Sequence, residues 1–178
     1  EVGRIPRELT DLLLFSPSDK EFIVAIIDYF MRDRWAHKVY KLDTQRMVAI
    51  NEDMGALDWR VPETHAIYWA KLGLEHEPGN IACTRMVNQA LKDVVDRGKL
   101  LYFSGETHTT IDWTYNIALV DRASESLEKT IASLDEDSRT TFESGYQNFL
   151  IDAVVALYVY GDKIKSKKYF KKLRDRYP

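Results

Sequence analysis

The sequence contains one cysteine, Cys83, in 178 residues. A single thiol cannot form an intrachain disulfide or a metal cluster that several thiolates hold. The 8 glycines and 5 prolines are too few for a turn-dense all-β chain. A disulfide or a metal ion is not needed to stabilise the fold, since a chain of this length buries roughly two thirds of its unfolded surface. The composition therefore favours a helical protein with a core of its own.

Long apolar runs are also missing. The most apolar stretch, Phe149 to Tyr160, contains Asp152 and falls well short of the ~20 residues that a membrane span needs. We therefore predict a buried helix there. Glycine-rich phosphate loops, HExxH and Gly-x-Ser-x-Gly patterns do not occur either. The common catalytic motifs are thus lacking, which lowers the expectation of an enzyme, and no cofactor is predicted.

The beginning of the sequence carries no targeting signal. Glu1 stands first instead of Met, and no basic stretch followed by an apolar core precedes the predicted helices. We expect the chain to be a processed product or a segment of a longer protein, with any targeting signal outside it. One unpaired cysteine does not distinguish the cytosol from a secreted compartment, so the localisation stays open.

Apolar residues repeat at helical spacing along most of the chain, and capping residues, glycines and prolines mark the ends of the predicted helices. The predicted helices are a short one after Pro6 with Leu9, Leu12 and Leu13, then Asp19 to Lys41, Thr44 to Met54, Pro62 to Glu77, Asn80 to Gly98, Asp112 to Leu134, Ser138 to Gly161, and a last one to Tyr177. Leu100 to Phe103 has strand character, but a lone strand has nothing to pair with, so we interpret it as a buried connector.

The fold class predicted from this pattern is all-α. Successive helices form stacked antiparallel hairpins, either as a solenoid segment or as an irregular helical bundle. No interior linker is rich enough in Gly, Ser or Pro to mark a domain boundary, so we predict a single helical domain over residues 1 to 178.

Five residues near the C-terminus fall at the offsets of a known repeat: Gly161, Ser166, Phe170, Leu173 and Pro178. They resemble the second half of a tetratricopeptide repeat. In that family, a small residue opens the turn between two helices and another small residue lets them approach closely. An aromatic and an aliphatic residue then face the partner helix, and a proline ends the second helix.

This resemblance covers about Asn148 to Pro178. The preceding helix has Leu150, Ala153 and Val154 where the family has a large residue, a leucine and a glycine. A period of about 34 residues does not run through the whole chain. The resemblance implies a stack of hairpins that binds proteins or peptides along a concave face, and it implies no chemistry.

A Glu-x-His pattern occurs twice, at Glu63 and His65 and at Glu106 and His108. Two carboxylates and two imidazoles are ligands that a bundle metal site uses. However, ligands on one helix face are usually three residues apart, whereas residues two apart point in different directions. A helical-bundle enzyme or a metal- or ligand-binding domain that uses these four residues is therefore the alternative function.

Trp59 and Arg60 lie in an extended segment just before Pro62. An aromatic residue in a connector is either a binding anchor or a plug between hairpins, and we prefer the plug. Both residues remain candidates for partner binding. Cys83 is interpreted as a small buried residue, with a reactive thiol in the first turn of a helix as the alternative.

The last predicted helix concentrates positive charge. From Lys163 to Arg176, eight basic residues accompany one acidic residue, so this segment carries +7; since the whole chain carries −3, the remainder carries −10. We expect a buried stripe of Ser166, Phe170, Leu173 and Tyr177, with the lysines facing solvent. A solubilising surface is the preferred interpretation, and attraction of an acidic or anionic partner is the alternative. The candidate residues for such a partner are Lys167, Lys168, Lys171 and Lys172.

These observations favour a non-enzymatic, helical-repeat-like module that binds a protein or peptide. Specific nucleic-acid binding is not expected, because the basic helix lacks interleaved exposed aromatic residues and a recognisable reading module.

Overall fold

The computed structural model describes residues 7, 8, 11, 20 to 105 and 108 to 178. It divides into two compact units, Glu1–Ala49 and Ile50–Pro178, and each is described by itself. The prediction of one domain stays a prediction. The predicted short helix after Pro6 and the predicted cap at Ser18 lie largely outside the described residues.

The described part of the chain is mostly helical, which confirms the predicted class. Seven α-helices and two strands are described: α1 (Lys20–Trp35), α2 (Thr44–Met54), α3 (Pro62–His76), α4 (Ile81–Arg97), β1 (Lys99–Ser104), β2 (Thr109–Thr114), α5 (Val120–Ser133), α6 (Glu136–Val159) and α7 (Lys163–Arg176). Short π and 3₁₀ segments stand at Ala36–Tyr40 and Ile117–Leu119. None of the described helices is long and apolar enough to cross a membrane.

In the first unit, α1 continues into the π segment, and this helical run ends at Lys41, which has a φ of 59°. The predicted helix from Asp19 to Lys41 is therefore confirmed to within a residue at each described end. Ile23 and Ile27 are buried, one helical turn apart, and Thr44 Oγ1 donates to Asp33 Oδ1 at 2.5 Å.

The second unit contains an antiparallel pair, α3 and α4, after the end of α2. Pro62 starts α3 because the first helical position needs no backbone N–H donor. Asn80 caps α4, and its Oδ1 accepts from the Cys83 backbone N–H at 3.0 Å. A Cβ on Gly73 would lie 2.8 Å from Cys83 Sγ, so the absence of a side chain there lets the two helices approach. Cys83 thus packs against α3, but it is half-buried and not fully buried as predicted from the sequence.

The remaining helices α5, α6 and α7 build the core with α4. The fully buried side chains of this core are Leu91, Val94, Val120, Ser124, Tyr146, Leu150 and Leu157. The start of α6 lies two residues earlier than predicted, because Asp135 is the cap and accepts from the Ser138 backbone N–H at 2.8 Å.

The turn between α6 and α7 agrees with the predicted hairpin. Gly161 has a φ of +88°, a conformation that glycine adopts without strain. Ser166 Oγ donates to the Val154 carbonyl oxygen at 2.9 Å, so a small polar residue does stand where the helices meet. The prediction for Phe170 was wrong, because its side chain is 54% exposed while the neighbouring Tyr169 is 2% exposed and takes the packing position.

The predicted buried connector and the predicted helix from Asp112 were also wrong. β1 pairs with β2 in an antiparallel hairpin in which Leu101 lies opposite Asp112. The strand at 109 to 114 is rich in threonine and also holds Ile111 and Trp113, and β-branched and aromatic residues favour strands. Asp112 is therefore a strand residue and not a helix cap, and α5 begins only at Val120.

Candidate functional site

The predicted metal ligands have contacts of their own in the structure. Glu63 pairs with Arg97 at 2.9 Å between Oε1 and Nη2, and His65 Nε2 donates to the Trp59 carbonyl oxygen at 2.8 Å. His108 is exposed at the turn of the β-hairpin, while Glu106 lies outside the described residues. Among the residues that the structure describes, no three His, Cys, Asp or Glu side chains are grouped to hold a metal ion.

Arg60, a predicted partner-binding residue, forms a two-point ion pair with Asp58. Its Nε lies 2.7 Å from Oδ1 and its Nη2 lies 2.5 Å from Oδ2. Asp58 also accepts from the Leu100 backbone N–H at 3.3 Å. The bonds from Arg60 lower the pKa of Asp58. The pair therefore fixes β1 to the segment before α3.

Trp59, the other residue predicted there, has two ring contacts. Its centroid lies 6.3 Å from that of Tyr68, edge to face, and 6.4 Å from that of His65. Its Nε1 is buried and has no hydrogen-bond partner among the described residues. Both contacts are with α3, so the plug between hairpins and a role in partner binding both stay predictions.

The basic side chains of α7 fall into two groups, which the sequence prediction did not separate. One group lies against α5 and α6 and pairs with carboxylates: Lys165 with Asp121 at 2.9 Å, Lys168 with Asp121 at 3.6 Å, Lys172 with Glu128 at 2.9 Å, and Arg176 with Glu143 at 2.6 Å. We call these four basic residues the inner row. The expectation that the lysines face solvent was wrong for Lys172, whose side chain is 32% exposed and pairs with Glu128, whereas Lys168 is 69% exposed as expected and also stands 3.6 Å from Asp121.

The inner row ends in a buried polar network. Lys172 Nζ donates to Ser124 Oγ at 2.9 Å, and Ser124 Oγ lies 2.7 Å from the Tyr146 hydroxyl. The Tyr169 hydroxyl donates to Asp121 at 2.8 Å, and burial followed by this carboxylate raises the pKa of Tyr169. A lysine beside a serine is a combination that nucleophilic enzymes use, but Ser124 is 1% exposed and no substrate can reach it. The network therefore holds α7 in place.

The second group of α7 lies beside an exposed apolar stripe of α6. Ile151, Val155, Tyr158 and Val159 are all exposed although they belong to the stretch predicted as a buried helix. Only the opposite side of α6, with Leu150 and Leu157, is buried. The sequence does contain a signal for this exposed stripe, because apolar residues occur on both sides of α6. Only one of the two sides can pack against the core that α4, α5 and α7 share with it.

The stripe is continuous with one face of α7. Five residues of α7 lie on this side, because the steps between them are four, three, one and three residues: Lys163, Lys167, Phe170, Lys171 and Arg174. Lys163 Nζ stands 5.8 Å from the centroid of the Tyr158 ring, so the two sets adjoin. We call these nine residues the outer face.

The outer-face lysines differ from the inner row in their partners. In the described part of the chain, neither Lys167 nor Lys171 pairs with an acidic side chain, whereas Lys168 and Lys172 both do. Two of the four lysines predicted for an anionic partner thus belong to this surface, and the other two pair with acidic residues of α5.

In comparisons with known proteins, no family model, curated protein or solved structure matches the chain. The tetratricopeptide resemblance therefore stays a prediction for residues 148 to 178. The function has to be argued from the chemistry of the surfaces.

Proposed function

We propose that this chain is a protein-interaction module and that its outer face binds an acidic amphipathic helix of a partner protein. The observation that carries the proposal is the exposed apolar stripe of α6 lying directly beside a row of basic residues on α7. An apolar surface next to a basic row, of which Lys167 and Lys171 pair with no carboxylate among the described residues, is complementary to a helix that carries apolar residues on one side and carboxylates on the other.

The apolar half of the surface favours a macromolecular partner. Single exposed apolar residues are common, but four on one side of one helix form a continuous patch of the kind that marks interaction sites. Val159 is 70% exposed and Tyr158 is 61% exposed, so most of each side chain is in contact with water. Covering them would gain hydrophobic free energy of roughly 25 cal/mol for each Å² buried. Tyr158 and Phe170 supply aromatic side chains, which often carry the largest share of binding energy.

The basic half of the surface favours an acidic partner. Lys163 and Arg174 are eleven residues apart, so the basic row is about 16 Å long at ~1.5 Å per helical residue. This length suits about three turns of a partner helix. Charges of this kind steer association and weaken with salt, since the Debye length is about 8 Å at physiological ionic strength.

The resemblance of the last hairpin to tetratricopeptide repeats supports the same function, because hairpin stacks of that kind commonly bind proteins or peptides. The surface lies on α6 and α7, the two helices that carry the resemblance.

The test uses the whole chain and two variants. One is Val155→Glu with Val159→Glu, which places carboxylates on the stripe; the control is Met86→Glu, at a residue of α4 that is 52% exposed. Each protein is immobilised, and the retained proteins are identified. We expect a partner with an acidic amphipathic helix to be retained by the wild type and by the control and lost with the double variant. A synthetic peptide of that helix should then bind more weakly as salt is raised.

Two outcomes would contradict the proposal. Retention of the same partners by the double variant would show that the outer face is not the binding surface. Alternatively, binding of the wild type to phosphatidylserine vesicles, with loss in the double variant and no protein retained, would replace the protein partner with a membrane surface.

A further inference from the structure

A cavity of 230 Å³ lies between α4, α5 and α6, and none of its lining residues belongs to the outer face. Leu127, Phe142 and Tyr146 form its apolar side, and all three are buried. Arg85 and Lys92 of α4 stand on its polar side, two helical turns apart. The cavity thus combines apolar walls with two cations.

The charge of the lining has one sign. No acidic side chain lines the cavity, and Gln89, between the two cations, donates from Nε2 to Asp93 at 3.1 Å. Within the described residues neither Arg85 nor Lys92 forms an ion pair, although Asp152 is near enough for the Lys92 charge to act on its pKa. Burial and then the charge of Asp96 raise the pKa of Asp152, while the charge of Lys92 lowers it. An anion in the cavity would meet two cations and no carboxylate of the lining, since Asp93 and Asp152 are not among the lining residues.

Asn88 supplies a second, independent feature of the lining. It is 5% exposed, and its Nδ2 donates to the Thr84 carbonyl oxygen at 3.0 Å. Its Oδ1 is buried and has no hydrogen-bond partner among the described residues. Leaving a buried acceptor without a donor is unfavourable, and a bound molecule with an N–H or O–H group would satisfy it. Asn88 lies on the same side of α4 as Arg85 and Lys92, because the three are separated by three and four residues.

Gly145 provides a third feature. It stands in the interior of α6, where glycine weakens a helix relative to alanine. A Cβ at this position would lie 3.4 Å from Lys92 Nζ, which is van der Waals contact with the end of a flexible side chain. The ammonium group of Lys92 therefore lies close to α6 at the wall of the cavity.

We propose that this cavity binds a small organic carboxylate that has an apolar body and a hydrogen-bond donor. Arg85 and Lys92 hold the carboxylate, Asn88 Oδ1 accepts from the donor, and the apolar body packs against Leu127 and Phe142. The cavity is smaller than the ~300–1,000 Å³ of pockets for drug-sized ligands, so the ligand has the size of a single ring or a branched chain. This site uses other residues than the outer face and does not depend on the proposed function.

The experiment titrates the whole chain with 3-hydroxybenzoate, 3-aminobenzoate and 2-hydroxy-4-methylpentanoate. Binding is followed by calorimetry and by the backbone amide shifts of α4 and α6. We expect saturable binding of at least one acid, with shifts centred on residues 85 to 92 and 141 to 146. The neutral amide of the bound acid should bind about tenfold more weakly or worse, because it lacks the charge-assisted bonds to Arg85 and Lys92.

Variants assign the site. Arg85→Gln and Lys92→Gln should each weaken binding of the acid about tenfold, since each removes one cation. Lys167→Gln and Lys171→Gln, on the outer face, should leave it unchanged, and circular dichroism verifies that all four variants are folded. The proposal is overturned if none of the three acids binds saturably at millimolar concentration, or if Arg85→Gln and Lys92→Gln bind the acid as the wild type does.

Discussion

Helix α7 has two basic sides that differ in what they contact. The inner row pairs with Asp121, Glu128 and Glu143, and Lys168 and Lys172 border buried tyrosine rings. The outer-face lysines adjoin an apolar stripe instead, and Lys167 and Lys171 have no acidic partner within the described residues. Residues that are adjacent in sequence thus fall on opposite sides of this division.

The difference teaches that a count of charges does not reveal their role. A segment of +7 is consistent with a solvated surface and with a binding surface, and α7 also uses part of this charge for its own packing. The register of the neighbouring helix decides between them, because Asp121 and Glu128 are seven residues apart and meet Lys165 and Lys172, which are also seven apart.

The largest effect on stability is expected at Tyr169, and its neighbour Phe170 serves for comparison. Each of the two is replaced by alanine. Tyr169→Ala should lower the free energy of unfolding by about 3–5 kcal/mol, because it removes a buried ring together with the hydroxyl that donates to Asp121. Phe170→Ala should change it by no more than about 0.5 kcal/mol, since Phe170 is exposed. Urea unfolding followed by circular dichroism measures both. A larger loss in Phe170→Ala than in Tyr169→Ala would reverse the assignment of the two sides.

A smaller effect is expected from a second pair of neighbours, Lys172 and Lys171. Lys172→Met should lower the free energy of unfolding by about 1–2 kcal/mol, because it removes bonds to Ser124 and to Glu128. The side chain of Lys172 is 32% exposed, so the loss is smaller than for a fully buried ion pair. Lys171→Met is the matched control and should stay within about 0.5 kcal/mol of the wild type. Equal unfolding midpoints for the two variants would show that the inner row does not stabilise the fold.

The sequence predicts much of the helical framework because its signals are local. Pro62, Asn80 and Gly161 mark ends that depend only on backbone geometry and on nearby hydrogen bonds, and each of these residues stands at a helix boundary in the structure. The β-hairpin was missed because its two strands are identified by their pairing with each other, which local sequence patterns do not show. Asp112 is compatible with a helix cap and with a strand, and only the opposite strand decides between them.

The candidate surface was predicted only in part, for the same reason. Lys167 and Lys171 are recognisable as basic residues on one helix, but their separation from Lys168 and Lys172 depends on where α5 packs. The apolar stripe of α6 was assigned to the core, since helical spacing shows that residues share a side and does not show what covers that side.

The smallest expected effect concerns the pH dependence of the inner row at Glu143. Bonds from Arg176, with a further one from Tyr177, lower the pKa of Glu143 below its ordinary value of 4.5. A carboxyl group with a lowered pKa in the folded state contributes stability above pH 4.5 and loses it as the pH falls through the folded value. Glu143→Gln has no such carboxyl group, so it should lose less stability than the wild type on acidification below pH 4.5. We expect a difference of about 1 kcal/mol, since the pair is partly exposed.

Urea unfolding of both proteins at a series of pH values measures this difference. Asp58, Asp121 and Asp135 also have lowered pKa values, but they are present in both proteins and cancel in the comparison. High salt should reduce the difference, because it screens a pair in contact with solvent. Parallel loss of stability in the two proteins would show that Arg176 and Glu143 do not stabilise the inner row. In that case the contrast between the two sides of α7 would depend on Tyr169 and Lys172 alone.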